Sequence, residues 1–208
     1  AILHKLSDWM GYSNERKQFS VGSTIELDIV YPKGKTNLGR YFPFKRSPSS
    51  ERTFAVLMMT ERDDPEINFK GITKAFCIDK TDGMAIQRIV KKHVPTENKN
   101  NMFTDDGSEF VFLRSSGYLQ HHRVIHNDKK YSAKYTDEVT GEEKICSTNT
   151  VEGANERIKT TIHSVYLGVN PEYIQLYADR VAFNHSNSSK NFFEALAELL
   201  NCLPGLNE

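Results

Sequence analysis

Between Ser147 and His163 the chain reads S-T-N-T-V-E-G-A-N-E-R-I-K-T-T-I-H. Val151, Ala154, Ile158, Ile162 and Val165 recur at threes and fours, the period of a helix with one apolar stripe. Asn149, Glu152, Glu156, Lys159 and His163 recur at the same spacing on another face. A helix with its apolar side inward therefore holds a row of polar groups along one line. Asn149 and Glu152 open that row, and Lys159 lies two turns beyond Glu152. A carboxylate followed at that distance by a lysine suits a metal site acting on nucleic acid, with one group for a cation and one for a phosphate. N-x-x-E before an apolar run is also a capping box, with Asn149 as cap and Glu152 reaching back to its amide. The elements upstream must decide between the two.

Thr24 to Tyr31 alternates and is rich in β-formers, so it reads as a strand. Glu26, Asp28 and Val30 share one face, and Ile25, Leu27 and Ile29 the other. Two acids on one face suit either a solvent-facing sheet edge or a site. Pro32 to Ser50 is a loop carrying Lys33, Lys35, Arg40, Lys45 and Arg46, with Tyr41, Phe42 and Phe44 interleaved. Such a loop can bind a phosphate backbone and stack bases, or simply be solvated. Apolar runs at Thr53–Met59 and Gly71–Ile78 read as strands. A helix is expected over Asp82–Val94, with Lys91, Lys92 and His93 in its last turn favouring the dipole, stopped by Pro95. A strand over Asn101–Thr104 ends in D-D-G-S-E-F, a turn or two of helix covers Ser108–Ser115, and Tyr118–His126 reads as a strand. Asn127–Ile145 is a polar loop or hairpin. Helices are expected at the N-terminus (residues 1–19, with Ile2, Leu3, Leu6, Trp9 and Met10 on one side), over Pro171–Phe183 and over Asn191–Leu203. The order, three strands, helix, strand, helix, strand and then helices, is that of an α/β ribonuclease H-like fold with a mixed central sheet flanked by helices.

Lys plus Arg and Asp plus Glu are 27 each, so the net charge is zero and whole-chain adhesion to nucleic acid is excluded. A local basic groove is not, because binding depends on where the charges sit. Cys77, Cys146 and Cys202 are far apart with no C-x-x-C pair, which argues against a zinc finger and suits a reducing compartment. No apolar run is long enough to span a membrane. The chain opens at Ala1 inside what reads as a helix, as a piece of something longer would.

Three acids stand out: Asp28 in mid-strand, Asp105 at the carboxyl end of another strand, and Glu152 in the first turn of a helix. Open α/β sheets place their sites at the carboxyl ends of strands. Phosphodiester attack puts negative charge on nucleophile, leaving group and non-bridging oxygens. Two hard cations roughly 3.5–4 Å apart stabilise both attacking and leaving oxygens, and Mg²⁺ takes oxygen ligands. Without metal, three crowded carboxylates would raise one another's pKa.

T-D-D-G-S-E-F at Thr104–Phe110 resembles the T-D-x-G-S segment around the second aspartate of retroviral-type integrases. More of the chain resembles the catalytic domain of the ISXO-like DDE transposases and their eukaryotic relatives, the Merlin transposases. I-E-L-D at Ile25–Asp28 is similar to the family's V-E-I-D strand, with a Gly/Lys-rich loop after it. G-Y-L-Q-H-H-R-V-I-H at Gly117–His126 is similar to G-Y-x-H-x-x-V-x-H. Thr140-Gly141, then T-N-T-V-E-G at Thr148–Gly153 with Lys159, matches T-G…T-N-x-x-E-G…K, and Tyr177–Asn184 resembles the closing Y-x-x-x-x-x-F helix. The resemblance covers about residues 20–185. It implies Asp28, Asp105 and Glu152 as catalytic and metal-holding residues, two Mg²⁺ or Mn²⁺ ions, and DNA cleavage followed by strand transfer. Asn149 enters as an auxiliary metal ligand, because some members use the asparagine of T-N. Lys159, Lys33, Lys35 and Arg40 are the expected DNA contacts. The expected partners are transposon-end and target DNA and a second copy of the chain.

The division expected is a helical segment over residues 1–20 and the catalytic domain with its C-terminal helices over 21–208. Sequence-specific end recognition is expected to lie elsewhere or to have been lost. The chain departs from the pattern at Ile29, where a second acid often stands, and at Ala154 and Asn155, where an aromatic does. Asp105 is preferred to Asp106 by analogy with T-D-x-G-S. His121 and His126 either face the site or are paired strand histidines. The alternatives are a ribonuclease H-like nuclease, or a transposase-derived DNA-binding protein without catalysis.

Overall fold

A computed structural model describes residues 2–32, 34–35, 41–42, 55–64, 70–78, 83–118, 120–124, 132–136, 141–165 and 169–201. In chain order the elements are α1 (Ile2–Arg16), β1 (Thr24–Val30), β2 (Gly34–Lys35), β3 (Tyr41–Phe42), β4 (Ala55–Glu61), β5 (Thr73–Ile78), α2 (Gly83–His93), β6 (Asn101–Asp105), α3 (Phe112–Ser115), β7 (His121–Val124), β8 (Ser132–Thr136), β9 (Glu143–Ser147), α4 (Asn149–Thr160), α5 (Ile174–Ser186) and α6 (Phe192–Asn201). Short 3₁₀ turns precede α3 and α5, and α4 runs on into a π-turn at Thr161–Val165.

The central sheet has the order β5-β4-β1-β6-β7. β4 is antiparallel to β1 and β5, whereas β6 is parallel to both β1 and β7. The fold is a mixed five-stranded sheet flanked by helices, consistent with the ribonuclease H-like fold of DDE transposases. β4 is buried along its whole length, which accounts for its unbroken A-V-L-M-M run.

The alternation along β1 sends Ile25, Leu27 and Ile29 to the face covered by α2 and α3, with Leu57, Met59, Ile86, Val90 and Leu113. Val30, Val56 and Met58 line the other face against Val151, Ala154, Ile158 and Ile162 of the α4 stripe and Ile174, Ala178 and Ala182 of α5. The stripe ends sooner than its period suggests, because Val165 is exposed. β8 and β9 form a hairpin that covers the β6–β7 end through Phe103, Val124 and Cys146.

Several expectations are corrected. β1 is the middle strand, so its acids do not mark a solvent edge, and Glu26 is fully buried. α1 turns a small and polar face inward, with Ser7, Ser13 and Asn14 buried and Trp9 exposed. It can approach α5 because Gly11 has no side chain: a Cβ there would stand 2.6 Å from Asp179 Oδ2. His93 does not serve α2 as a dipole-facing cation. Burial, then the charges of Lys74 and Lys92, push its pKa down to about 4. His121 does not face the acids either. It is buried, with Nε2 2.9 Å from Thr104 Oγ1. Lys33, Arg40 and His126 lie outside the described residues, as do the side chains of Lys35 and His163.

Candidate active site

The parallel register brings the first two acids together. Thr24 pairs with Asn101 and Leu27 with Thr104, and one further step along both strands sets Asp28 level with Asp105 on the same face. α4 crosses that face, carrying Glu152 in its first turn. The electrostatics register the meeting. Asp28 is pushed up to about 7, first by burial, then by the charge of Asp105 and, more weakly, that of Glu152.

Each carboxylate is held. Asp28 Oδ1 accepts from the Ile29 amide at 2.7 Å, and Oδ2 accepts from Asn155 Nδ2 at 2.6 Å. Asp105 Oδ1 accepts from the Gly107 amide at 3.0 Å, a local turn closed by its own side chain. A Cβ at Gly107 would lie 2.9 Å from Asp105 Oδ1 and 2.9 Å from Glu109 Oε2, so a side chain there would push both carboxylates aside. Glu152 Oε1 accepts from the buried Thr148 hydroxyl at 2.7 Å. Among the described residues, no three His, Cys, Asp or Glu side chains converge closely enough to make a preformed metal cage.

The start of α4 is not the capping box expected from N-x-x-E. Thr148 is the cap residue, its side chain makes no capping bond, and Asn149 is already helical and exposed. The amides are satisfied from across the fold. Glu26 Oε2 accepts from Thr150 N at 2.8 Å and Val151 N at 3.0 Å, and Oε1 accepts from the Thr150 hydroxyl at 3.1 Å. A buried anion at a helix N-terminus is favoured by both the open amides and the dipole. Arg62, just past β4, donates Nε to Glu26 Oε1 at 2.5 Å and Nη2 to the Ser147 carbonyl at 2.8 Å. Its guanidinium lies 4.6 Å from the Phe103 ring centre. β1 therefore supplies both an acid of the trio and the anion that seats the helix bearing another.

Of the remaining expected residues, Asp106 turns to Arg123 in an ion pair. Lys159 is half-exposed and pairs with Glu156 at 2.6 Å. Asn149 is exposed, and the side-chain amide that reaches Asp28 is that of Asn155. Sequence reasoning missed Glu26, Arg62 and Asn155 as parts of the centre. The signal for Glu26 was its place two residues before Asp28 on an otherwise apolar strand. Asn155 was visible only as a small polar residue where an aromatic was expected.

The family of ISXO2-like transposase domains matches residues 21–186. The chain belongs to that family. A search of curated proteins gives no match. An ISXO2-like transposase domain is a DNA-transposing, generally DNA-cleaving module that binds DNA, and such domains generally use divalent metals. The match covers β1 through the end of α5, and so includes every residue of the centre described above. No helix among the described residues of this ISXO2-like domain is long and apolar enough to cross a membrane.

Proposed function

We propose that the chain is an active DDE transposase catalytic domain that cleaves DNA strands and transfers the freed 3′ end by divalent-metal phosphoryl transfer. The observation that carries this reading is the parallel register that sets Asp28 level with Asp105 under the first turn of α4; the pKa of Asp28 rises to about 7, first by burial and then by the charges of Asp105 and Glu152. Like charges brought together by the fold repel one another, and a hard cation relieves that repulsion. The donor set suits that cation, because it is all carboxylate oxygen and each oxygen keeps a lone pair beyond its hydrogen bond.

Asp28, Asp105 and Glu152 are the residues that would hold the metal. Such ions, when bound there, would supply Lewis-acid stabilisation of the charge that develops on the phosphoryl oxygens. The chain's own residues do the rest. Asn155 fixes the orientation of Asp28, and the turn at Gly107 fixes Asp105. Glu26 and Arg62 seat the end of α4 from which Glu152 projects. The pKa of Asp28 is raised to about 7, first by burial, and a cation beside it would favour its ionised form. Thr148 holds one oxygen of Glu152 by a hydroxyl that must yield or share it.

The test uses Asp28→Asn, which keeps shape and removes charge. Divalent-dependent cleavage of DNA should fall to background while the far-ultraviolet circular dichroism is unchanged. Retained cleavage refutes the assignment. A strand-transfer assay with pre-cleaved ends separates a transposase from a nuclease that only hydrolyses.

A further inference from the structure

A second feature lies at the β7 edge of the same sheet. A cleft of about 410 Å³ straddles β7, between α3 on one face and the β8–β9 hairpin on the other. Arg114, Arg123 and Lys134 line it, with the rings of His122 and Tyr135 and no carboxylate among the lining residues. The two rings stack with centroids 4.0 Å apart. Of these cations Arg123 pairs with Asp106 and Lys134 with the exposed Glu143, so the lining is basic while part of its charge is balanced just outside it. The cleft also adjoins the candidate centre. Val124 pairs with Asp105 in the sheet, and Arg123 donates Nη2 to the Asp106 carbonyl at 2.8 Å.

We infer that this cleft is a DNA-backbone subsite, in which Arg114 and Lys134 take phosphates of the strand leading to the Asp105 end of β6. Arg114 and Lys134 are exposed, and the pair that Lys134 makes with Glu143 is open to solvent on both sides. Such pairs are worth little, so the lysine is free to exchange its partner for a phosphate. Arg123 is tied to Asp106 and positions the floor. The stacked pair of His122 and Tyr135 supplies a flat wall of the kind against which a base can lie. His121, at the back, stays uncharged, since burial pushes its pKa down to about 4, so the attraction rests on the arginines and the lysine.

The inference rests on the reading of the chain as a DNA-acting domain, and the experiment keeps the two apart. Binding of a fluorescent duplex oligonucleotide with a single-stranded overhang is followed by anisotropy across a salt series in chelator, so that metal plays no part. The Arg114→Ala/Lys134→Ala variant should bind about 10-fold or more weakly at low salt. Its salt slope should be shallower by about one per contact removed. Arg114→Lys/Lys134→Arg should restore both. An affinity and slope within two-fold of wild type overturn the inference, and leave the transposase reading intact if Asp28-dependent cleavage persists. Cations on an edge strand also deter strand-to-strand pairing. Aggregation of the double alanine variant with undiminished DNA binding would assign the cluster to that role and overturn the subsite as well.

Discussion

Two aspartates in this fold are pushed up to about 7, and they are raised by different surroundings. Asp28 is lifted by burial and then by Asp105 and Glu152. Asp179, on α5, is lifted first by burial, with a hydrogen bond from Gln175 opposing it and the charges of Asp8 and Glu15 adding to the rise. Its cleft also holds the buried Lys74, lowered to about 8 by the same desolvation. At β1 the like charges converge on one face from three elements. At α5 the carboxyl is enclosed where Gly11 lets a helix come close, and its cleft mixes the acids Asp8 and Glu15 with the cations Lys74, Arg88 and Lys92. A displaced proton affinity therefore does not mark a candidate site by itself; whether acids alone or acids mixed with cations surround it decides how it is read.

The largest expected effect separates the regions by what supports them. The centre depends on Glu26, which is fully buried and meets Arg62 and two amides of α4. Glu26→Ala leaves the guanidinium and both amides without their acceptor and should lower stability by about 3–5 kcal/mol. Glu26→Gln keeps one acceptor oxygen and should lose less. Urea unfolding at pH 7 measures both, and a loss under about 1 kcal/mol for the alanine variant would remove Glu26 from the foundation of the site.

A smaller effect distinguishes the two aspartates directly. A carboxyl whose folded pKa lies above its unfolded value of 3.8 binds its proton more tightly in the native state. Its contribution is present at low pH and is lost as pH rises from about 4 to about 7. Asp179→Asn removes that loss, so it should stabilise the chain by about 2–4 kcal/mol at pH 8 and by little at pH 4. Asp28→Asn should show the same sign. Added Mn²⁺ tells them apart. It should raise the melting temperature of wild type and of Asp179→Asn at pH 8, through binding to the native state alone, and leave Asp28→Asn unmoved. A metal response that Asp28→Asn retains would make the two aspartates equivalent and dissolve the comparison.

What could be read from the chain follows the same division. The strand carrying Asp28, the strand ending at Asp105 and the helix carrying Glu152 are each set by local period, so their order and the mixed sheet were legible. The face shared by Glu26 and Asp28 was legible too, because alternation fixes it. The role of Glu26 was not, since its partners Thr150 and Val151 lie more than a hundred positions away and no local rule links a strand acid to a distant helix start. The capping box misled for the same reason: the local solution for the α4 amides was displaced by a buried anion from another element. The polar inner face of α1 also escaped, because Ser7, Ser13 and Asn14 are buried by the close approach of α5 rather than by hydrophobic patterning.

The smallest effect concerns the exposed end of the centre's helix. Lys159 and Glu156 form a solvent-exposed pair one turn apart, and such pairs contribute well under 1 kcal/mol. Lys159→Ala should therefore change stability by no more than about 0.5 kcal/mol. If Lys159 meets a phosphate, the same variant should weaken duplex binding several-fold and make the salt slope shallower by about one. Glu156→Gln should leave binding equal or stronger, because it frees the lysine of its competitor. Lys159 lies on the α4 side of the acids, and Arg114 and Lys134 lie beyond β7. A backbone running across the centre would touch both groups, and removing them together should lower the slope by the sum of the separate effects. A sum that falls short would mean that the two sides serve different strands.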